Sequence, residues 1–111
     1  MASRTGRADG VGSVFLETPE SEWLASNEHA FAISDQYPVT PGHALVITRR
    51  LVPDWFSATP EERLSLMALV DEVKRILDAG QQPDGYNIGI NVGPAAGQTV
   101  MHLHVHVIPR V

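Results

Sequence analysis

Val100-Met101-His102-Leu103-His104-Val105-His106-Val107-Ile108 decides how this chain is read. Histidine and apolar residues alternate, and a period of two belongs to a strand, whose successive side chains point to opposite faces. His102, His104 and His106 are therefore expected on one face and Leu103, Val105 and Val107 on the other. The apolar face has to be buried for the strand to keep its register. At about 3.3 Å rise per residue, neighbouring imidazoles are expected roughly 6.6 Å apart. The histidine face becomes a row of groups that exchange protons near neutral pH.

Upstream, Tyr86 to Val92 alternates in the same way and reads as a second strand. The small-residue loop Gly93 to Gln98 then suggests a hairpin. Thr59-Pro60-Glu61-Glu62 is a helix start: Thr59 caps, Pro60 suits the first helical position, and Glu62 completes a capping box. Leu66, Leu69, Val70, Val73, Ile76 and Leu77 follow at helical spacing, with Asp71 and Arg75 as a pair four apart and Gly80 as the stop. His43 to Thr48 reads as a buried strand, preceded by the turn-rich stretch Ser34 to Gly42. Trp23 to Ala25 and Ala30 to Ile33 read as two short strands joined at Asn27-Glu28. Residues 1–13 are small, polar and glycine-rich and read as a flexible lead-in, with one domain over 14–111. Strands, one long helix, then two strands predict an antiparallel α+β domain.

The 111 residues suit one domain with a working core. No cysteine is present, which excludes disulfides and thiolate metal sites and favours a cytoplasmic setting. Thirteen acidic against eight basic residues, a formal charge of −5, disfavour nucleic-acid binding through a basic face. No apolar run reaches the roughly 18 residues that cross a membrane, and the first residues lack the apolar core of a signal peptide.

Two chemistries fit a row of histidines. Two of them, at i and i+2, could ligate zinc with a third ligand from elsewhere, but the third alternating ring reaches too far for one ion. Alternatively, a neutral imidazole attacks phosphorus and forms a labile adduct. A flanking histidine then protonates a leaving oxygen, and the other donates to non-bridging oxygens. Gly97-Gln98-Thr99 would complete an anion site with backbone N–H groups, an amide and a hydroxyl.

His102 to Ile108 resembles the histidine-triad (HIT) superfamily of nucleotidyl hydrolases and transferases, matching its His-φ-His-φ-His-φ-φ motif at every position, where φ is apolar. Pro41 to Ile47 is similar to the second motif of that family, and Asn91 to Val100 to the lead-in of the fragile-histidine-triad and bacterial branches. The resemblance implies a five-stranded antiparallel sheet with one long helix, and a homodimer. It implies cleavage of a phosphoanhydride or phosphoramidate bond in a nucleotide, such as a purine dinucleoside polyphosphate. The route would be a nucleotidyl-histidine on His104. It further implies His102 near the leaving group as general acid, His43 orienting His102, and His106 donating to the α-phosphate. Gly97, Gln98, Thr99 and Asn91 would meet phosphates, Asp35 the ribose hydroxyls, and Phe15 and Ile33 the base. No metal or other cofactor is implied in the protein, although magnesium can accompany a polyphosphate. His106 argues against the galactose-nucleotide transferase branch, which carries glutamine there. The other classes that fit are a nucleotide-sensing module with little catalysis and a metal-dependent hydrolase.

Overall fold

A computed structural model describes residues 12–111. The described strands are β1 (Ala25–Ser26), β2 (Ala30–Ser34), β3 (Ala44–Thr48), β4 (Gly85–Gly89) and β5 (His104–Arg110), and the helix α1 (Pro60–Gln81) joins β3 to β4. All neighbours are antiparallel, in the order β1-β2-β3-β5-β4. The α+β arrangement expected from the sequence, with five strands and one long helix, is thus present.

Alternation along the central strands divides the sheet into two faces. Ala30 and Ala32 of β2, Ala44 and Val46 of β3, and Val105 and Val107 of β5 join Leu66, Leu69 and Val73 of α1 in one cluster. Three of the six sheet residues there are alanine. Each fully buried Leu or Val in this layer contributes about 1.5–3 kcal/mol. The opposite face carries Phe31, Ile33, Leu45 and Ile47, with His104 and His106 in the same pleat. A single 3₁₀ turn, Val14–Glu17, covers it by setting Phe15 down on the cluster, and buried Ser13 caps that turn at Phe15 N. Met1 to Val11, most of the segment read as a lead-in, lie outside the described residues.

The capping box forms as the sequence dictates. Thr59 Oγ1 accepts from Glu62 N at 3.1 Å, and Glu62 Oε1 accepts from Thr59 N at 2.9 Å. Arg50, just past β3, adds a two-pronged contact to the same carboxylate at 3.0 and 2.8 Å. That guanidinium hydrogen bond is the main reason the Glu62 pKa falls to about 2. A carboxylate held low in the folded state contributes its full stability above its unfolded value. The contribution is lost as the pH falls from near 4.5 towards about 2. Glu62→Ala should therefore cost about 2 kcal/mol at neutral pH, discounted for the exposure of Arg50, with the difference fading as the pH falls through about 2. Urea melts of both proteins across that range check it, and an equal difference at every pH would contradict the assignment.

Several local expectations need correction. The helix does not stop at Gly80. It continues to Gln81 and ends on Gln82 in the left-handed conformation (φ 51°), because Gln81 Nε2 reaches Pro41 O at 3.0 Å and ties the last turn to the β2–β3 loop. The close approach fixes Gly42 as well: its φ is +90°, and a Cβ there would lie 2.5 Å from Gln81 Oε1. Lys74 with Asp78, at 2.7 Å, is the helical pair that forms, rather than Asp71 with Arg75; Asp78 also accepts from Tyr86 OH of β4. The first short strand, expected over Trp23 to Ala25, is β1 at Ala25–Ser26, shorter and starting two residues later. The β4–β5 connection is not a six-residue hairpin. It runs over residues 90–103, since β4 ends at Gly89 and β5 begins only at His104. Leu103 N is drawn out of the ladder to Val52 O at 2.8 Å, beyond the end of β3. No helix among the described residues is long and apolar enough to cross a membrane.

Candidate active site

The register places Ile47 opposite His104 and Leu45 opposite His106. His104 and His106 share a face as their spacing predicts, with ring centroids 5.1 Å apart in an edge-on arrangement. His102 is not in the strand. It lies in the bend just before β5, and its fully buried imidazole packs 5.9 Å from the Phe15 ring that also meets His104.

The hydrogen bonds fix the tautomers. His104 Nδ1 lies 2.6 Å from His102 O. A carbonyl oxygen only accepts, so Nδ1 carries the proton and the in-plane lone pair is on Nε2. His43 Nδ1 accepts from Val39 N at 3.0 Å, which puts the neutral ring's proton on Nε2. That nitrogen lies 3.0 Å from His106 Nδ1, so His43 donates and His106 keeps its own proton on Nε2. His102 donates from Nε2 to Thr48 O at 2.7 Å, while its Nδ1 is buried with no hydrogen-bond partner. Burial pushes the His102 pKa down against the opposing pull of the Thr48 carbonyl, and the ring stays neutral.

Two expected positions change accordingly. The His102 imidazole, expected near the leaving group, is buried and bonded to Thr48 O, and its main-chain carbonyl meets His104 Nδ1. His43 orients His106 rather than His102, because Leu45, two residues on in the same pleat, stands opposite His106.

The expected ligand contacts divide similarly. Phe15 and Ile33 line a cavity of about 340 Å³ with Val14, Thr18, Ser34 and Gln36. His43, Asn91 and His106 line a second, of about 320 Å³, with Val39, Asn87 and Ile88. His104, 7% exposed, is sandwiched between residues of the two: Phe15 meets its ring edge-on at 4.9 Å on one side and His106 at 5.1 Å on the other. Thr99 and Gly97 are exposed, and Gly97 adopts φ +96°. Gln98 is not a phosphate ligand here. It is buried and fully used as a brace: Nε2 donates to Pro53 O and Val100 O at 2.6 and 3.0 Å, and Oε1 accepts from Gly93 N at 2.8 Å. Asp35 is turned inward. Oδ1 accepts from Tyr37 N at 2.8 Å and Oδ2 lies 3.5 Å from His43 Nε2. His29 is outside the site, beside Glu28.

Asp35, His43 and His106 place one donor atom each within 4.8 Å of one another, close enough to suggest a metal site. The hydrogen bonds argue otherwise. A histidine that ligates through Nε2 carries its proton on Nδ1 and donates it to a neighbouring acceptor, whereas His43 Nδ1 accepts a hydrogen bond from Val39 N–H. Ligation would demand an imidazolate or the loss of that bond, so these residues do not fit a resident ion.

The HIT domain family matches residues 17–111. The chain belongs to that family. Among its relatives, the AP-4-A phosphorylase of Mycobacterium tuberculosis is 35% identical over 86% of this chain and 49% of its own length. The bis(5'-adenosyl)-triphosphatase of Dictyostelium discoideum is 37% identical over 82% of this chain and 61% of that protein. The crystal structure of a HIT family protein from Bacillus anthracis superposes with a TM-score of 0.77 at 38% identity, covering 80% of this chain and 63% of that one. The chain thus spans between about half and two thirds of the lengths it matches.

What the sequence missed were the main-chain partners: Val39 N–H, Thr48 C=O and the His102 carbonyl. No residue-type signal points to them, since any side chain could have stood at those positions.

Proposed function

We propose that this HIT domain is an enzyme that splits a dinucleoside polyphosphate in two steps through His104. One observation carries the reading: the 2.6 Å contact between His104 Nδ1 and His102 O sets the proton on Nδ1 and the lone pair on Nε2, the nitrogen that would attack phosphorus. Nε2 attacks the α-phosphorus and the P–O bond to the leaving polyphosphate breaks. Because Nδ1 keeps its proton, the adduct is an N-phosphoryl imidazolium, a good leaving group in its turn. Water then attacks the same phosphorus, the P–N bond breaks, His104 returns neutral, and one proton passes to solvent. His106 Nε2–H supports charge on the non-bridging oxygens. The cavity beside Phe15 suits an apolar base, and Asn91 stands where phosphates would pass.

A phosphoanhydride is the favoured substrate, because a nucleoside di- or triphosphate departs as an anion and needs no proton from the site. The names of the tuberculosis and Dictyostelium relatives point to the same substrate class. Magnesium would travel on the polyphosphate, and the composition suits a cytoplasmic protein. Acid-stable or base-stable trapping decides the mechanism. Rapid quench into alkali with an α-³²P-labelled substrate should give a protein-bound, acid-labile label within one turnover. Turnover without any such label would sink the covalent route and leave a direct water attack.

We also infer a homodimer through β4, which among the described residues is an edge strand beside β5, with Ile88 48% exposed on it. Sedimentation equilibrium should give twice the chain mass, and Ile88→Lys should halve it; a monomer in the unmutated protein would refute this.

A further inference from the structure

We propose that Asp35 is a positioning residue for the histidine pair: acting through His43, it holds the proton of His106 on Nε2. The proposal rests on the nucleotidyl-transfer reading of the site, and it gives Asp35 a task separate from any contact with ribose.

The geometry is a relay of three buried or half-buried groups. Tyr37 N–H holds Oδ1 of Asp35 at 2.8 Å, which sets the carboxylate plane and turns Oδ2 inward. Oδ2 then lies 3.5 Å from His43 Nε2, with both side chains at 5% exposure or less. That same Nε2 is 3.0 Å from His106 Nδ1. On the far edge of the His43 ring, Val39 N–H occupies Nδ1 at 3.0 Å. Two influences therefore act in one direction. The backbone N–H excludes a proton from Nδ1, and the carboxylate attracts one to Nε2 across a short, poorly solvated gap where charges act strongly. His43 Nε2–H in turn excludes a proton from His106 Nδ1. The remaining proton of His106 stays on Nε2, the nitrogen that can donate to a phosphate oxygen.

The other titratable group facing the pair is His104, from β5, 5.1 Å from the His106 ring; its proton is already fixed by the His102 carbonyl. From β4 and the loop after it come only neutral Asn87 and Asn91. Among the described residues at this site, Asp35 thus supplies the fixed negative charge. Gln36 and Ser34, its neighbours in sequence, line the Phe15 cavity while Asp35 itself does not. A carboxylate built solely for a ribose diol would be expected on that cavity wall.

The test separates the relay from ribose binding. Imidazole ¹⁵N spectra of the free protein should show His43 and His106 each as a single Nε2–H tautomer. Asp35→Asn, which preserves the shape and an acceptor for Tyr37 N–H, should convert them to tautomer mixtures. The same variant should lower kcat about tenfold or more, with little change in KM. The factor should be equal on a diadenosine polyphosphate and on its 2′,3′-dideoxy analogue. Asp35→Ser, keeping a hydroxyl acceptor, serves if the asparagine variant does not fold. Unchanged tautomers, or a kcat loss confined to the substrate with ribose hydroxyls, would overturn the proposal. If the unmutated protein turned over neither substrate, the enzymatic reading would fall, while the free-protein spectra would still decide what Asp35 does.

Discussion

His104→Ala is expected to lower kcat by about 10⁴-fold or more, because no other group in the site can form the phosphorus–nitrogen bond. Substrate affinity should fall far less. The cavities beside Phe15 and beside His106 are built from other residues, and the missing ring leaves a space between them rather than a closed door. The ring is 7% exposed and packs on Phe15, so some stability will be lost with it. His104→Asn retains more of the volume and should be equally inactive. Single-turnover kinetics with equilibrium binding of a non-hydrolysable diadenosine polyphosphate checks both variants. Retained turnover at even a tenth of the normal rate in either would show that phosphorus is attacked by something else, with water the first candidate.

The fold was legible because its signals were local and redundant. Thr59, Pro60 and Glu62 announce the helix start by three separate mechanisms, and Ala44 to Thr48 is too apolar to lie anywhere but in the middle of a sheet. The ends of elements were less legible. Gly80 carries the right chemistry for a stop, yet the helix passes through it because Gln81 finds a partner in Pro41, forty residues away. At the site, residue types identified the participants but not their pairing. Periodicity put His102, His104 and His106 on one face, and the rings of His102 and His104 both pack against Phe15. It could not reveal that Leu103 N bonds to Val52 O, so that the ladder begins only at His104 and His102 is fully buried. Nor could it give the β3–β5 register, which alone decides that His43 meets His106. Gln98 illustrates the same limit: an amide beside a phosphate motif is chemically suited to an anion, but three short contacts to backbone commit it elsewhere.

His102→Ala provides the second large effect, and it separates an acid from a brace. A general acid at the leaving group would make its loss selective. Substrates with poor leaving groups would suffer most, and those departing as stable anions would hardly notice. The buried position predicts the opposite. Removing a fully enclosed ring from between Phe15 and the end of β3 leaves a cavity and orphans the Thr48 carbonyl, at a cost of about 2–4 kcal/mol. The segment carrying the His102 carbonyl then loosens. His104 loses the contact that holds its proton on Nδ1, so the rate falls by a similar factor whatever the leaving group. His102→Gln, whose amide can still donate to Thr48 O, should recover part of both the stability and the rate, although glutamine cannot act as an acid. Denaturant melts, together with kcat for a series of nucleoside phosphate esters of graded leaving-group acidity, read the two quantities side by side. A slope that steepens in the alanine variant, with glutamine giving no rescue, would return His102 to the role of proton donor. Parallel slopes with partial rescue would place its contribution in the main chain.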